Sequence, residues 1–266
     1  PQPLGNIPVL GGLEVIDVTG ARFPLVSGTT RWAWYSNTSW SVLSYVSAAG
    51  VNVSPAGTDT DYWDFAQIYY DLRDENIAVG GNGSYQSLYC WQSGTTVFST
   101  LTGAPRALTV AAFDNFLVAA NIRSGNSDFV QRVQWSDRGS ASSWTQGLFG
   151  FEDLLQMRGD ITRLVPLENR LIVLGENETW QGYRVDFPHL FLFQPIDTGV
   201  GCPYPWTAAV TPRGVMFLGR DYHMYLLPRE GGQPVKVGQR LHRSVRNVID
   251  RPERAWGAWD HTTGVY

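Results

Sequence analysis

One pattern recurs along this chain and limits its fold more than any other feature: a polar turn followed by a short apolar run that often ends in glycine. It reads Asp74-Glu75-Asn76-Ile77-Ala78-Val79-Gly80, then Ala112-Phe113-Asp114-Asn115-Phe116-Leu117-Val118. It returns as Leu167-Glu168-Asn169-Arg170-Leu171-Ile172-Val173-Leu174-Gly175 and as Thr211-Pro212-Arg213-Gly214-Val215-Met216-Phe217-Leu218-Gly219. A shortened copy is Trp259-Asp260-His261-Thr262-Thr263-Gly264-Val265. Apolar runs this short, bounded by Gly, Asn, Asp and Pro, suit buried strands rather than helices. The turns fall about 40 to 55 residues apart, the length of one four-stranded propeller blade.

Several copies carry a second hairpin. After Gly175 come Glu176-Asn177-Glu178 and Thr179-Trp180-Gln181-Gly182. After Gly219 come Arg220-Asp221 and an apolar segment from Tyr222 to Leu227, and after Gly80 a glycine-rich turn and a segment from Tyr85 to Trp91. Two hairpins per unit favour a propeller over a β-sandwich, whose strands also alternate with turns. One blade cannot bury both faces alone, so blades must stack.

The expected fold is therefore all-β: a β-propeller of four-stranded antiparallel blades, incomplete in this chain, with an extended N-terminal arm. Residues 1–60 are expected to hold the arm, Pro1 to Pro8, and an irregular first blade around Gly20 to Tyr45. Residues 61–266 are expected to hold the regular blades. The 28 glycines and 15 prolines fit many turns. The best helical periodicity is at residues 239–249, where Leu241, Val245 and Val248 could share a face. The chain opens without methionine and stops in a strand-like Val265-Tyr266, so a processed or incomplete stretch of a longer polypeptide is expected.

The formal net charge is −4, which does not resemble the basic footprint of a DNA-gripping domain. Lys236 is the one lysine among 20 basic residues, and arginine's planar fork suits carboxylates and protein interfaces. Cys90 and Cys202 have no C-x-x-C spacing and read as free, mostly buried thiols. No apolar run approaches the ~18 residues of a membrane span, so no membrane insertion is expected. The sequons at Asn37, Asn52, Asn82 and Asn177 mean little without a signal peptide.

Candidate chemistry is thin. Trp135-Ser136-Asp137 lacks a visible base and nucleophile elbow, so a turn-capping role is expected. His189, His223, His242 and His261 lie in different units without metal-ligand spacing. Asp59, Asp61 and Asp64 could offer hard oxygens to Ca²⁺, but the EF-hand pattern is absent and a solvated turn is favoured. No cofactor or metal is expected. Glu152-Asp153, Glu176 and Glu178 are the candidate carboxylates for glycoside hydrolysis, which requires two groups across a cleft. Trp32, Trp34, Trp40, Tyr69 and Tyr70 are candidate sugar-stacking rings, although such rings at period two are more often blade core.

Val133-Gln134-Trp135-Ser136-Asp137-Arg138-Gly139, followed by Ser143-Trp144-Thr145, resembles a signature of tail-hub and nozzle propellers of short-tailed bacteriophages, the tail tubular protein B and packaged-DNA stabilisation type. Further matches follow in order: Asp160 to Leu167, Leu171 to Trp180, Gly199-Val200-Gly201-Cys202, and Gly214 to Asp221. The likeness runs from about Asp64 to Tyr266; the first 60 residues match nothing in it. It implies a structural virion protein of the phage tail, not an enzyme, assembled in the host cytoplasm. It further implies a cyclic homohexamer that extends the DNA channel and helps retain packaged DNA. The partners implied are an adaptor or head-tail connector and tail fibres or spikes, with genome dsDNA passing through the lumen without sequence-specific binding. The alternative is a propeller carbohydrate-binding module or glycan hydrolase.

Arg240, Arg243 and Arg246 fall at i, i+3 and i+6, with Arg251 and Arg254 beyond. On a short helix the first three would lie along one side. They are the candidate docking or channel surface, set against the plainer reading of a solvated face.

Overall fold

The computed structural model describes residues 4–5, 7–36, 38–46, 55–70, 75–82, 87–145, 147–185, 189–249 and 251–266. It is all-β and built from the blades of a β-propeller. The chain divides into two compact units, Pro1–Glu152 and Asp153–Tyr266.

In the first unit, β1 (Gly11–Ile16), β2 (Arg22–Ser27), β3 (Trp32–Tyr35) and β4 (Trp40–Val42) form an antiparallel meander. Then β5 (Ser44–Val46) leaves this blade and joins the next. The second blade runs β6 (Trp63–Tyr70), β7 (Glu75–Asn82), β8 (Tyr89–Gln92) and β9 (Val97–Thr100). β5 lies parallel on the outer side of β9, pairing Tyr45 with Phe98. An edge strand carries unpaired N–H and C=O groups, and β5 covers this one. The third blade is β10 (Arg106–Phe113), β11 (Phe116–Ser124), β12 (Ser127–Trp135) and β13 (Gly150–Asp153).

In the second unit, β14 (Ile161–Leu167), β15 (Arg170–Gly175), β16 (Thr179–Arg184) and β17 (Phe191–Asp197) form one blade. The other is β18 (Ala209–Thr211), β19 (Gly214–Leu218), β20 (Met224–Pro228) and β21 (Val235–Val237). A single-turn 3-10 helix at Gln239–Leu241 and α1 (His242–Val248) follow, within the segment of helical periodicity.

The repeated turn is the link between the first two strands of a blade. In β10–β11 its residues Asp114 and Asn115 have φ of +49° and +62°, the two left-handed positions of a type I′ hairpin. The copies at Glu168 and Pro212-Arg213 join β14 to β15 and β18 to β19. The shortened copy at 259–265 is closed by a bridge between Asp260 and Val265. Asp74 lies outside the described residues, as do Pro1, Gln2, Pro3 and Asn6 of the expected arm.

The blade expected around Gly20 to Tyr45 begins earlier, at Gly11, and has four strands. Its β2 carries Pro24, and its strands are short, so the repeat signal is weak there. The described part of the N-terminal arm packs on this blade: Leu4 is buried and lies beside Gly28. A Cβ at Gly28 would stand 2.6 Å from the Ile7 methyl, so the arm's close approach requires glycine there.

Alternation along the second blade shows why its strands read as apolar throughout. Ala78 of β7 joins Val15, Leu25, Trp32, Trp91 and Phe98 in the core shared with the first blade. Its neighbours Ile77 and Val79 face the core shared with the third blade, with Leu88, Val110, Leu117 and Ile122. Both faces are buried, at about 1.5–3 kcal/mol for each large side chain. In the second unit, Leu167, Ile172 and Leu174 pack with Val215, Phe217 and Leu227 in the same manner.

Polar clamps cross between blades within each unit. Asp64 of β6, 5% exposed, accepts the Thr109 hydroxyl of β10. Arg170 of β15 donates to the Pro228 and Arg229 carbonyls and to Gln181 Oε1. Arg163 of β14 donates to the Pro205 and Ala208 carbonyls at 2.9 and 2.8 Å. Arginine's fork suits such multiple acceptors.

Candidate docking surface

After β19 the chain turns sharply at residues 219–223. The Gly219 N–H donates to the His223 carbonyl at 2.9 Å, and Tyr222 takes φ of +59°. This turn places the Asp221 carboxylate among donors. Oδ2 accepts from Tyr225 Oη at 2.9 Å and from Lys236 Nζ at 2.8 Å, and Oδ1 accepts from the His223 N–H at 3.2 Å. His223 Nδ1 stands 3.0 Å from Oδ2. Partial burial raises the Asp221 pKa; the Lys236, backbone and Tyr225 donors outweigh it and bring the carboxyl down to about 2.

The Asp221 backbone carbonyl contacts His242 Nε2 at 3.0 Å. A carbonyl only accepts, so Nε2 carries the proton. The His223 and His242 rings stack with centroids 3.8 Å apart and planes 9° from parallel. His242 opens α1, so this contact pins the helix to the β19–β20 turn. The sequence places these histidines in separate units; the structure brings them together. His189 and His261 are exposed and take no part in this stack.

The pinned segment displays the predicted arginines. Arg240, Arg243 and Arg246 are exposed, as is Arg251. Arg243 and Arg246 lie three residues apart on α1 and so are surface neighbours. Among the described residues none of these four has a carboxylate partner. Arg254 differs: it is half-buried in a 3-10 turn at Pro252–Arg254 and has contacts of its own. Trp256, which sequence reasoning passed over, is 72% exposed. No periodicity marks it; only its position beyond the last blade sets it apart.

The other candidates are structural in their geometry. Ser136 is buried; its Oγ accepts the Leu117 N–H at 3.1 Å and donates to the Asp137 carbonyl at 2.9 Å. Asp137 Oδ1 accepts the Arg138 and Leu148 N–H groups, and Trp135 Nε1 donates to the Leu148 carbonyl. The motif thus latches the following loop, as far as Leu148, onto its blade. Gly147, at φ +80°, sits against the Asp137 carboxylate, where a Cβ would overlap it. Asp61 accepts from the Thr58 N–H and hydroxyl, closing a turn, while Asp64 points into the blade contact described above.

Glu178 is 1% exposed, with one oxygen taken by Arg158 Nε at 2.7 Å and the other by Trp180 Nε1 at 2.9 Å. Glu176 faces Arg220 at 3.8 Å, and Glu152 and Asp153 lie on β13. Trp32 is fully buried and stacks on Phe98 at 4.7 Å; Trp34 packs with Phe23 and Trp91, and Trp40 with Tyr35. Tyr69 is 38% exposed, and the Tyr70 side chain lies outside the described part of the structure. Asn82 is buried and Asn177 half-buried; Asn37 and Asn52 lie outside the described residues. A cleft of about 360 Å³ in the first unit is lined by Glu75, Cys90, Trp91, Ser99 and Ser142 among others. Among the described residues no His, Cys, Asp and Glu cluster could hold a metal ion, and no helix is long and apolar enough to cross a membrane.

No family model matches this chain, and no curated protein matches it. Among solved structures it is similar to the computationally designed Ika8 protein, at 12% identity and a TM-score of 0.49, over 85% of this chain and 60% of that one. It is similar to Hsv2p of Kluyveromyces lactis at 6% identity and a TM-score of 0.41, over 84% and 75% of the two chains. It is also similar to a putative 6-phosphogluconolactonase from Bacteroides uniformis at 12% identity and a TM-score of 0.41, over 86% and 80%. The chain thus spans 60% of the length of the designed protein, and likeness at this level carries no functional argument.

Proposed function

We propose that this chain is a structural, non-enzymatic component of a short-tailed phage tail, a tail-hub or nozzle propeller. In this role it associates into a cyclic ring, six-fold by the family resemblance, which prolongs the genome channel and helps retain packaged DNA. Its loops dock an adaptor on one side and fibres or spikes on the other. Head-to-tail contacts close into a ring only at a fixed rotation.

The ordered series of signature segments from Val133 to Asp221 carries this reading. The arrangement of their polar groups supports it. Ser136, Asp137 and Glu178 are engaged in holding loops and strands, which suits a rigid scaffold that presents variable loops. The arginine-bearing segment pinned at Asp221 is the surface to which a docking role is assigned.

Native mass spectrometry of the protein, alone and with an adaptor ring, tests the proposal. A discrete cyclic assembly is the expected result. A persistent monomer under both conditions, or saturable polysaccharide binding or cleavage, would overturn it in favour of the carbohydrate reading.

A further inference from the structure

We infer that Arg240, Arg243, Arg246 and Arg251 form a docking surface for the carboxylates of an acidic protein partner. The inference takes the docking role proposed above and names the chemistry of what docks. Four exposed guanidinium groups lie on one short stretch, and none has a carboxylate partner among the described residues. Elsewhere several arginines are answered by carboxylates, Arg22 by Glu14, Arg123 by Asp128, Arg138 by Asp114 and Arg229 by Glu168. Arg31, Arg106 and Arg213 are exposed without a carboxylate partner among the described residues, but each stands alone in the sequence rather than in a cluster. The first turn of α1 contains no acidic residue.

The segment is also held in place. His242 stacks on His223 and contacts the Asp221 carbonyl, so the arginines beside it project from an anchored turn. Anchoring lowers the ordering cost of binding. Arginine presents a planar fork that meets a carboxylate with two hydrogen bonds, and arginine and tryptophan are enriched in protein interfaces. Trp256, 72% exposed, follows five positions after Arg251.

Charge favours an acidic protein surface over a nucleic acid. The chain carries a formal charge of −4, so a long polyanion meets net repulsion beyond the local arginines. A compact acidic patch meets only those arginines, because charges beyond about 10 Å are screened.

The test is fluorescence anisotropy of a short labelled oligo-glutamate peptide with the 266-residue chain, beside a DNA duplex as the second probe. The triple variant R240E/R243E/R246E is expected to weaken binding of the glutamate peptide by roughly tenfold or more. R240K/R243K/R246K keeps the charge, loses the fork, and is expected to weaken it by about threefold. R22E/R123E/R138E makes the same change of net charge at paired arginines and is expected to cost about twofold at most. Equal losses in the two glutamate triples would overturn the inference, since net charge alone would explain them. So would no binding at all, or tighter binding of the duplex through the same arginines, which would make the partner a nucleic acid. If the first triple melts early, the lysine triple decides. Absence of the chain from purified virions would defeat the tail reading and leave the anisotropy result standing.

Discussion

The Asp64 side chain of β6 accepts the Thr109 hydroxyl of β10 at 2.5 Å and the Val110 N–H at 3.2 Å, joining the second blade to the third through a buried acceptor. The contact explains why an acidic residue sits buried between the largely apolar residues Trp63, Phe65 and Ala66. Asp64→Ala leaves a buried hydroxyl and a buried N–H without this acceptor and should cost about 2–3 kcal/mol. Thr109→Val removes one donor and should cost less, about 1 kcal/mol. Urea unfolding of the two variants checks the order; equal midpoints with the wild type would mean that the clamp contributes nothing.

Gly147 is predicted to tolerate no side chain. Its φ is +80°, and an added Cβ would overlap the Asp137 carboxylate. Gly147→Ala should destabilise the first unit by about 1–3 kcal/mol. Adding Asp137→Ala should not restore the wild type, because it relieves the overlap while removing the acceptor for the Arg138 and Leu148 N–H groups. A double variant as stable as the wild type would show that the latch is dispensable.

How much was legible in the sequence differs from element to element. The β10–β11 hairpin was readable because Asp114 and Asn115 tolerate left-handed backbone and are flanked by apolar runs. The start of the first blade at Gly11 was not, because Pro24 and the short β3 and β4 blur its alternation. The parallel pairing of β5 with β9 has no local signal, since three residues show no period and the partner lies far along the chain. Arg243 and Arg246 could be placed on one helix by spacing alone. The half-burial of Arg254 and the meeting of His223 with His242 depend on tertiary neighbours, which no spacing encodes.

Cys202 should behave as a core residue toward thiol reagents. It is fully buried, and burial pushes its thiol up to about 11, against smaller opposing effects from Thr207 and Arg163. The thiolate is the reactive species, so at pH 8 little of it exists in the folded chain. With Cys90 replaced by serine, labelling of Cys202 by an aromatic disulfide should follow unfolding, accelerating in urea along with the loss of structure. Prompt labelling in buffer would show that the loop 199–207 opens locally.

The Asp221 carboxylate should make the last blade acid-sensitive. Its folded pKa of about 2 lies below the ordinary value of 3.8, so its contribution to stability is complete above about pH 4 and is lost as the pH falls toward 2. The side chain is 41% exposed, so screening reduces the effect to roughly 1 kcal/mol. Asp221→Asn removes the titrating group and should flatten stability between pH 4 and 2 in urea titrations, while lowering it at pH 7. Hydrogen exchange separates the local consequence from the global one. His242 contacts the Asp221 backbone carbonyl rather than its carboxylate, so the asparagine variant should keep α1 protected. His242→Ala should instead speed exchange over 239–248 and leave the core strands β15 and β19 unchanged. Loss of α1 protection in Asp221→Asn together with its retention in His242→Ala would mean that the carboxylate, and not the histidine stack, holds the arginine-bearing segment in place.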